Sequence, residues 1–303
     1  EGYDYSFENF DPILANMDLV IANLETPLTT QTQSALEGQK EYLHWSDPTQ
    51  TIETFLKHNL DVFSLANNHT LDFGTVGLAE TTSALTGAGI SYFGAGENLA
   101  TAEAPFVQDN LVVFGDFELR ENYLEDYNFY AQTEKAGVNP LDISRLTEQI
   151  VEYRTKKPQA FIIIFPHWGE NYEQETDEQK QIAHTLIDAG ADLILGHGAH
   201  LAQGIEQYKN HWIIYNLGNF IFNAPGRYQK LDKDPYSLMA RLILEGEQKT
   251  LRLYPIFTDN LVTNYQSRYL TEEEFEEYED NLKVTELQEG KDQYGHYIDI
   301  SSL

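Results

Sequence analysis

VFSLANNHTLDFGTVGL (Val62–Leu78) decides the fold of this chain. Val62–Ala66 is an apolar run of strand length that breaks into the polar Asn67-Asn68-His69. Helical spacing takes over at Thr75 and predicts a helix over Thr75–Ala88. A buried strand, a polar turn and a helix in that order form half of a βαβ unit, which places the chain in the α/β class.

The same alternation continues outward on both sides. Upstream, Asp18–Asn23 (DLVIAN) is predicted as a buried strand. Asp47–His58 is predicted as a helix with Asp at its cap and Pro just inside. Downstream come strands at Tyr92–Gly94 and Leu111–Phe114, helix Ile143–Lys156 and strand Phe161–Phe165. Helix Thr176–Ala189 follows, then strands at Asp192–Leu195, Trp212–Asn216 and Phe220–Phe222. Leu238–Leu244 and Leu251–Phe257 are expected to pair antiparallel, which makes the sheets mixed. Residues 117–140, rich in Tyr and Glu, are expected to be an irregular surface excursion, with nothing in their spacing to prove them a wall of the site. Thr271–Leu282 is expected to be an acidic, solvated helix with Phe275, Tyr278 and Leu282 on its packing face. No repeat or low-complexity linker divides the chain, so one domain over residues 1–303 is the expectation, with 258–303 as a C-terminal extension.

Composition narrows the function. With 303 residues and 41% hydrophobic side chains, a sizeable core is available. There is no Cys, which excludes thiol catalysis, zinc–thiolate sites and disulfides. A formal charge of -30 repels phosphate backbones and anionic lipid, arguing against a nucleic-acid or membrane-surface role. The same charge also serves solubility. An anionic substrate would need a local positive centre, for which a bound divalent cation is the obvious candidate. No apolar run is long enough to span a membrane. The chain starts at Glu1 and not Met, so its original N-terminus and any targeting segment are expected to be missing. The sequence does not choose between cytoplasm and cell envelope.

Candidate chemistry lies where strands end, the usual ligand crevice of open α/β sheets. The polar clusters are Asn23-Leu24-Glu25, Asn67-Asn68-His69 with Asp72, His167-Trp168-Gly169, Gly196-His197-Gly198-Ala199-His200 and Leu217-Gly218-Asn219-Phe220. Histidine, carboxylate and Asn oxygens make an N/O donor set suited to Zn, Mn or Fe. Taken singly, each has a plainer reading: Glu25 as an exposed carboxylate, His69 as a cap, His167 at a sheet rim over a core Trp168, and the His197/His200 spacing as chance. Their joint placement at successive strand ends favours a site. His44, His58, His184, His211 and His296 lack this context and are left as structural.

NLETPL (Asn23–Leu28), LANNHTLDFGTVGL (Leu65–Leu78), HWGENY (His167–Tyr172), DAGADLILGHGAH (Asp188–His200) and YNLGNFIFN (Tyr215–Asn223) resemble, in this order, the CapA family. Those bacterial proteins are associated with capsule and poly-γ-glutamate synthesis and belong to the calcineurin-like metallophosphoesterase superfamily. The resemblance spans about Tyr3 to Phe257. It implies a four-layer sandwich of two mixed sheets flanked by helices, with divalent metal ions (Mn, Fe or Zn), two in the intact protein. It implies Glu25, Asn68, His167, His197 and His200 as metal ligands, His69 as the proton donor to a leaving group, and Asp72 as the group that orients His69. Asn67, Trp168 and Asn219 would support the ligands or meet substrate.

The sequence departs from the family pattern in three places. The family's opening strand with its Gly-Asp motif is missing. Gly198 stands where many members carry a histidine of a His-Pro-His run. Glu170 is shifted by one position relative to the usual carboxylate. The implied function is metal-dependent phosphoesterase-like hydrolysis in capsule or poly-γ-glutamate biosynthesis. Its partner would be an anionic cell-surface polymer or precursor, with a polymer-synthesis complex as further company. Two rivals stay open: a non-catalytic polymer-handling scaffold, and a metal-dependent γ-glutamyl amide hydrolase.

Overall fold

The computed structural model describes residues 2–246, 248–281 and 287–301. It is a mixed α/β fold of several sheets and helices, the class the sequence predicts. The chain forms two compact units, Leu14–His167 and the pair of segments Glu1–Ile13 and Trp168–Leu303.

In the Leu14–His167 unit, strands β1 (Ile21–Asn23), β2 (Val62–Ser64) and β3 (Ser91–Phe93) form a parallel sheet in that order. Their register aligns Asn23 with Ser64 and Phe93, so the polar segments after β1 and β2 leave the sheet at one edge. β1 is half-buried and not the fully buried strand expected, because it is the edge of this sheet. β4 (Ala95–Gly96) pairs with β7 (Gly137–Val138). A second sheet contains β5 (Phe106–Gln108) antiparallel to β6 (Leu111–Phe117), and β6 parallel to β8 (Phe161–His167). The sheets of this unit meet at Gly115, where an added Cβ would lie 2.6 Å from the Phe93 ring. Only glycine permits that approach.

Side-chain caps open the helices, at Asp47 and Thr176 where the sequence places them and at Asp142. Asp47 accepts from the Gln50 amide at 2.8 Å, and Pro48 opens helix Pro48–Lys57. Asp142 caps helix Ile143–Lys156 through the Arg145 amide, and Arg154 and Lys156 sit at its negative end. Helix Asp177–Ala189 has a capping box between Thr176 and Gln179 and ends on Gly190 at φ 114°.

In the other unit, β9 (Leu193–Leu195) is parallel to β11 (His211–Ile214), which pairs antiparallel with β10 (Ile205–Tyr208). β12 (Tyr236–Glu245) and β13 (Gln248–Phe257) form the expected antiparallel pair. β13 also takes β14 (Arg268–Tyr269) and β16 (His296–Ser301), and β16 takes β15 (Gln288–Lys291). The acidic helix Glu272–Asn281 buries Phe275 and Tyr278 as predicted. Leu282 lies outside the described residues.

Two expectations are corrected. Phe220–Phe222 is not a strand. The chain turns at Gly218 (φ 78°), Phe220 packs on Phe10 at 4.8 Å, and the Phe222 ring stacks on His200 at 4.7 Å. Residues spent on such different neighbours cannot hold a common sheet face. The 117–140 segment is not a surface excursion: Phe117, Phe129, Tyr130 and Val138 are all buried, and Glu121–Glu125 is helical. Its aromatic residues form a packed layer whose members are irregularly spaced in sequence.

Candidate metal and proton-transfer site

In the Leu14–His167 unit, the segments after β1 and β2 are tied together. Asn67 donates from Nδ2 to Asn23 Oδ1 at 3.0 Å and to the Leu24 carbonyl at 2.8 Å. Its Oδ1 accepts from the His69 amide and the Thr70 hydroxyl, both at 3.0 Å. Asn67 is therefore fully engaged in holding the turn that presents Asn68 and His69. Asn23 donates to Glu25 Oε2 at 3.0 Å. The other carboxylate oxygen, Glu25 Oε1, is buried and accepts no hydrogen bond among the described residues; Asn68 Oδ1 is in the same state. Burial, partly offset by Lys40, pushes the Glu25 carboxyl up to about 7.

His69 and Asp72 sit at one place, as the sequence expects. His69 Nδ1 is 2.7 Å from Asp72 Oδ2, and Asp72 also accepts from the His44 amide at 2.7 Å and from Lys40. Lys40 Nζ also donates to the Asn68 carbonyl at 2.6 Å and stands 3.1 Å from His69 Nδ1. The carboxylate fixes the proton on Nδ1 and leaves the lone pair of His69 on Nε2. Burial pushes the His69 imidazole down to about 4; the Asp72 hydrogen bond opposes this, and the Lys40 charge adds to it. The ring is thus neutral at ordinary pH.

His44, left as structural on sequence grounds, stacks on His69 with centroids 3.6 Å apart and planes 5° from parallel. Its Nδ1 is 3.0 Å from the Glu25 carbonyl oxygen. Lys40 lies against the rings of Tyr123 and Phe129, 5.6 and 5.4 Å from their centroids. Asn68 also hydrogen-bonds the Tyr123 hydroxyl, which burial pushes up to about 12. The 117–140 segment is therefore a wall of this cluster. His167 ends β8, buried, with the Phe117 ring edge-on at 5.5 Å and its carbonyl accepting from Glu118 at 3.0 Å.

The other unit holds the remaining candidates. Trp168 is buried and structural in its contacts: Nε1 donates to the Tyr215 carbonyl at 2.7 Å, and its amide donates to the His197 carbonyl at 2.8 Å. His197 is buried beside it. His200, at φ 65°, has Nδ1 2.9 Å from Asn219 Oδ1. Asn219 Nδ2 donates to the His200 carbonyl and to the Tyr228 hydroxyl, at 3.0 and 2.8 Å. Those two acceptors set the amide orientation, so Oδ1 must receive the Nδ1 proton and the His200 lone pair is on Nε2. Tyr172 and Phe222 stack on the same ring.

The structure thus joins Glu25, Asn67, Asn68, His69 and Asp72 in one network, and His200 with Asn219 in another. Among the described residues, no three His, Asp or Glu side chains converge closely enough to hold a metal by themselves. Sequence reasoning missed Lys40, His44, Tyr123, Tyr172 and Tyr228. No local motif marks them; only the three-dimensional neighbourhood does.

The donor chemistry of the Leu14–His167 unit suits a divalent cation: Glu25 Oε1 and Asn68 Oδ1 are buried oxygens without a hydrogen-bond partner among the described residues. Comparison with known proteins gives the family. A family model described as bacterial capsule synthesis protein PGA_cap matches residues 1–224. The capsule biosynthesis protein CapA of Bacillus anthracis is 31% identical over 73% of this chain and 54% of its own length. The PGA biosynthesis protein CapA of Bacillus subtilis (strain 168) is 30% identical over 74% of this chain and 58% of its own length. The chain therefore spans a little over half the length of these curated relatives. A Mycoplasma pneumoniae phosphatase structure aligns over 88% of this chain and 86% of its own, at 14% identity and a TM-score of 0.39.

Proposed function

Since the chain belongs to the bacterial capsule synthesis protein family PGA_cap, we propose that it is a metal-dependent phosphoesterase-like hydrolase acting in the biosynthesis of an anionic capsule polymer such as poly-γ-glutamate. The observation that carries the reading is the pair of buried, unpartnered oxygens, Glu25 Oε1 and Asn68 Oδ1, beside the His69–Asp72 couple. Buried polar atoms without partners are uncommon and call for a ligand or a special role.

Glu25, Asn68, His167, His197 and His200 are the residues that would hold divalent metal (Mn, Fe or Zn). A cation bound by them would supply Lewis-acid polarisation of the scissile group and would lower the pKa of water. The chain's own residues do the rest. Asn67 fixes the turn that aims Asn68 and His69. Asp72 holds His69 in the Nδ1–H tautomer, so Nε2 is the atom that exchanges a proton with the substrate. Lys40 disfavours the charged imidazole, and an anionic substrate beside it works in the opposite sense. With an anionic substrate bound, His69 Nε2 would take a proton from solvent, and it is this proton that would pass to a departing alcohol. Asn219 fixes the His200 ring.

The test is hydrolysis of a chromogenic phosphate ester in the presence of Mn or Zn. Wild type is expected to turn over, and His69→Ala to lose on the order of 100-fold in kcat. Cleavage of a γ-glutamyl peptide without ester hydrolysis would replace this reading with amide hydrolysis. The one observation favouring a non-catalytic scaffold is that no three His, Asp or Glu side chains converge among the described residues. Turnover of neither substrate by a metal-loaded chain would establish the scaffold.

A further inference from the structure

Ile221, Phe222 and Asn223, which form no strand, are instead one wall of a cleft. Its volume is about 300 Å³, and it lies wholly in the unit formed by Glu1–Ile13 and Trp168–Leu303. That is the lower end of the range for small-molecule sites, roughly 300–1,000 Å³. A second wall is the turn Asp4–Ser6, which brings Tyr5 and Ser6. The third is Asn264 and Tyr265, directly after the short helix Asn260–Thr263.

Hydrogen bonds tie the three walls to one another. Gln266 Nε2 donates to the Tyr5 carbonyl at 2.8 Å, and Asn9 Nδ2 donates to the Ser267 carbonyl at 3.0 Å. Ser267 Oγ donates to the Phe220 carbonyl at 2.7 Å, and the Ala224 amide donates to Asn260 Oδ1 at 2.9 Å. Within this bracing Asn264 and Tyr265 stand at φ 52° and 66°. Asn adopts that left-handed conformation at little cost, but an aromatic residue there is strained, and strain of this kind gathers at binding sites. The cleft is preformed.

Its lining is selective. Among the described residues, no charged side chain lines it. The side-chain polar atoms of Tyr5, Ser6, Asn223, Asn264 and Tyr265 make no hydrogen bond to the described residues, so water meets them until a ligand does. Phe222 contributes an aromatic ring that also stacks on His200 at 4.7 Å.

We propose that this cleft binds one uncharged sugar ring. A carboxylate or phosphate would enter it with no cation to meet it, in a chain of formal charge -30. Hydroxyls and amides on three sides match a ring that donates and accepts all round its rim, and the aromatic side chains match its C–H face. A flat aromatic base would also stack, but would leave most of the polar lining unmet. The site goes beyond the hydrolase reading, and the stack of Phe222 on His200 sets it beside one of the candidate metal ligands.

The experiment titrates the full chain with the methyl glycosides of glucose, galactose and N-acetylglucosamine, following the side-chain amide signals of Asn223 and Asn264 by ¹H–¹⁵N NMR. At least one glycoside is expected to shift both signals saturably, and its 6-carboxylate counterpart to bind several-fold more weakly. Asn264→Gly deletes the amide while tolerating the left-handed backbone, and should weaken binding about fivefold, the worth of a hydrogen bond. Tyr265→Ala should weaken it at least as much. Leu56→Ala, an exposed change in the other unit, should match wild type. Tighter binding of a methyl disaccharide ending in the same ring assigns the ring to a polymer, equal binding assigns it to a free sugar, and either result upholds the site. Binding of none of the glycosides, equal binding by wild type and both cleft variants, or tighter binding of the 6-carboxylate counterpart or of adenosine overturns the proposal. Because the cleft needs no metal, sugar binding by a chain that takes up none upholds this inference while removing the metallohydrolase. Metal-dependent ester hydrolysis without sugar binding does the reverse.

Discussion

Lys40 and Asp72 form an ion pair closed to solvent, with side chains 5% and 0% exposed. Asp72 serves His69, the His44 amide and Lys40 at once, so the pair holds together the loop at residues 40–44 and the turn after β2. Removing one partner leaves the other charge buried and uncompensated. Lys40→Met is therefore expected to lower the unfolding free energy by about 3–5 kcal/mol, measured by urea denaturation. A loss under about 1 kcal/mol, the range of an exposed pair, would show that solvent reaches Asp72.

Asp116 predicts a pH dependence. It is buried on β6, accepting from Asn139 at 2.8 Å, and burial pushes its carboxyl from 3.8 up to about 8. Between those values the folded chain keeps a proton that the unfolded chain has lost. Its stabilising contribution is complete below about 3.8 and is lost progressively as pH rises toward 8. Asp116→Asn should remove this slope and be more stable than wild type near pH 8. Identical stability–pH profiles for the two proteins between pH 5 and 8 would mean that Asp116 ionises in the folded state.

Asn219 fixes the tautomer of His200 through the Nδ1 contact at 2.9 Å. Asn219→Ala should let the ring exchange its proton between the two nitrogens, visible in the ¹⁵N shifts of the imidazole. Metal affinity should fall about 10–100-fold, the usual cost of losing an outer hydrogen-bond partner. Unchanged ¹⁵N shifts would assign the orientation of His200 to Tyr172 and Phe222 alone.

What was legible in the sequence follows from how far each signal reaches along the chain. Asp47 and Thr176 stand at the starts of their own helices and cap them within three residues, so those two starts could be read directly. Asn67, Asn68, His69 and Asp72 occupy one turn, and their joint placement was equally visible. Lys40 was not, because its role depends on Asp72, Tyr123 and Phe129, up to 89 residues away. The 117–140 segment buries its aromatics at no regular period, which hides them from pattern reading. β15 was missed because Gln288–Lys291 (QEGK) has no apolar alternation and pairs only through its backbone with β16.

The central claim is that the oxygens of Glu25 and Asn68 and the candidate histidines bind metal. It is tested most directly by elemental analysis of the chain after exposure to Mn, Fe or Zn and removal of free ion, with Glu25→Gln and a His167→Ala/His200→Ala double variant alongside. The account predicts near-stoichiometric metal in wild type and its loss from both variants, with folding retained by circular dichroism. A folded wild type that retains no metal, or variants that retain as much as wild type, would contradict it.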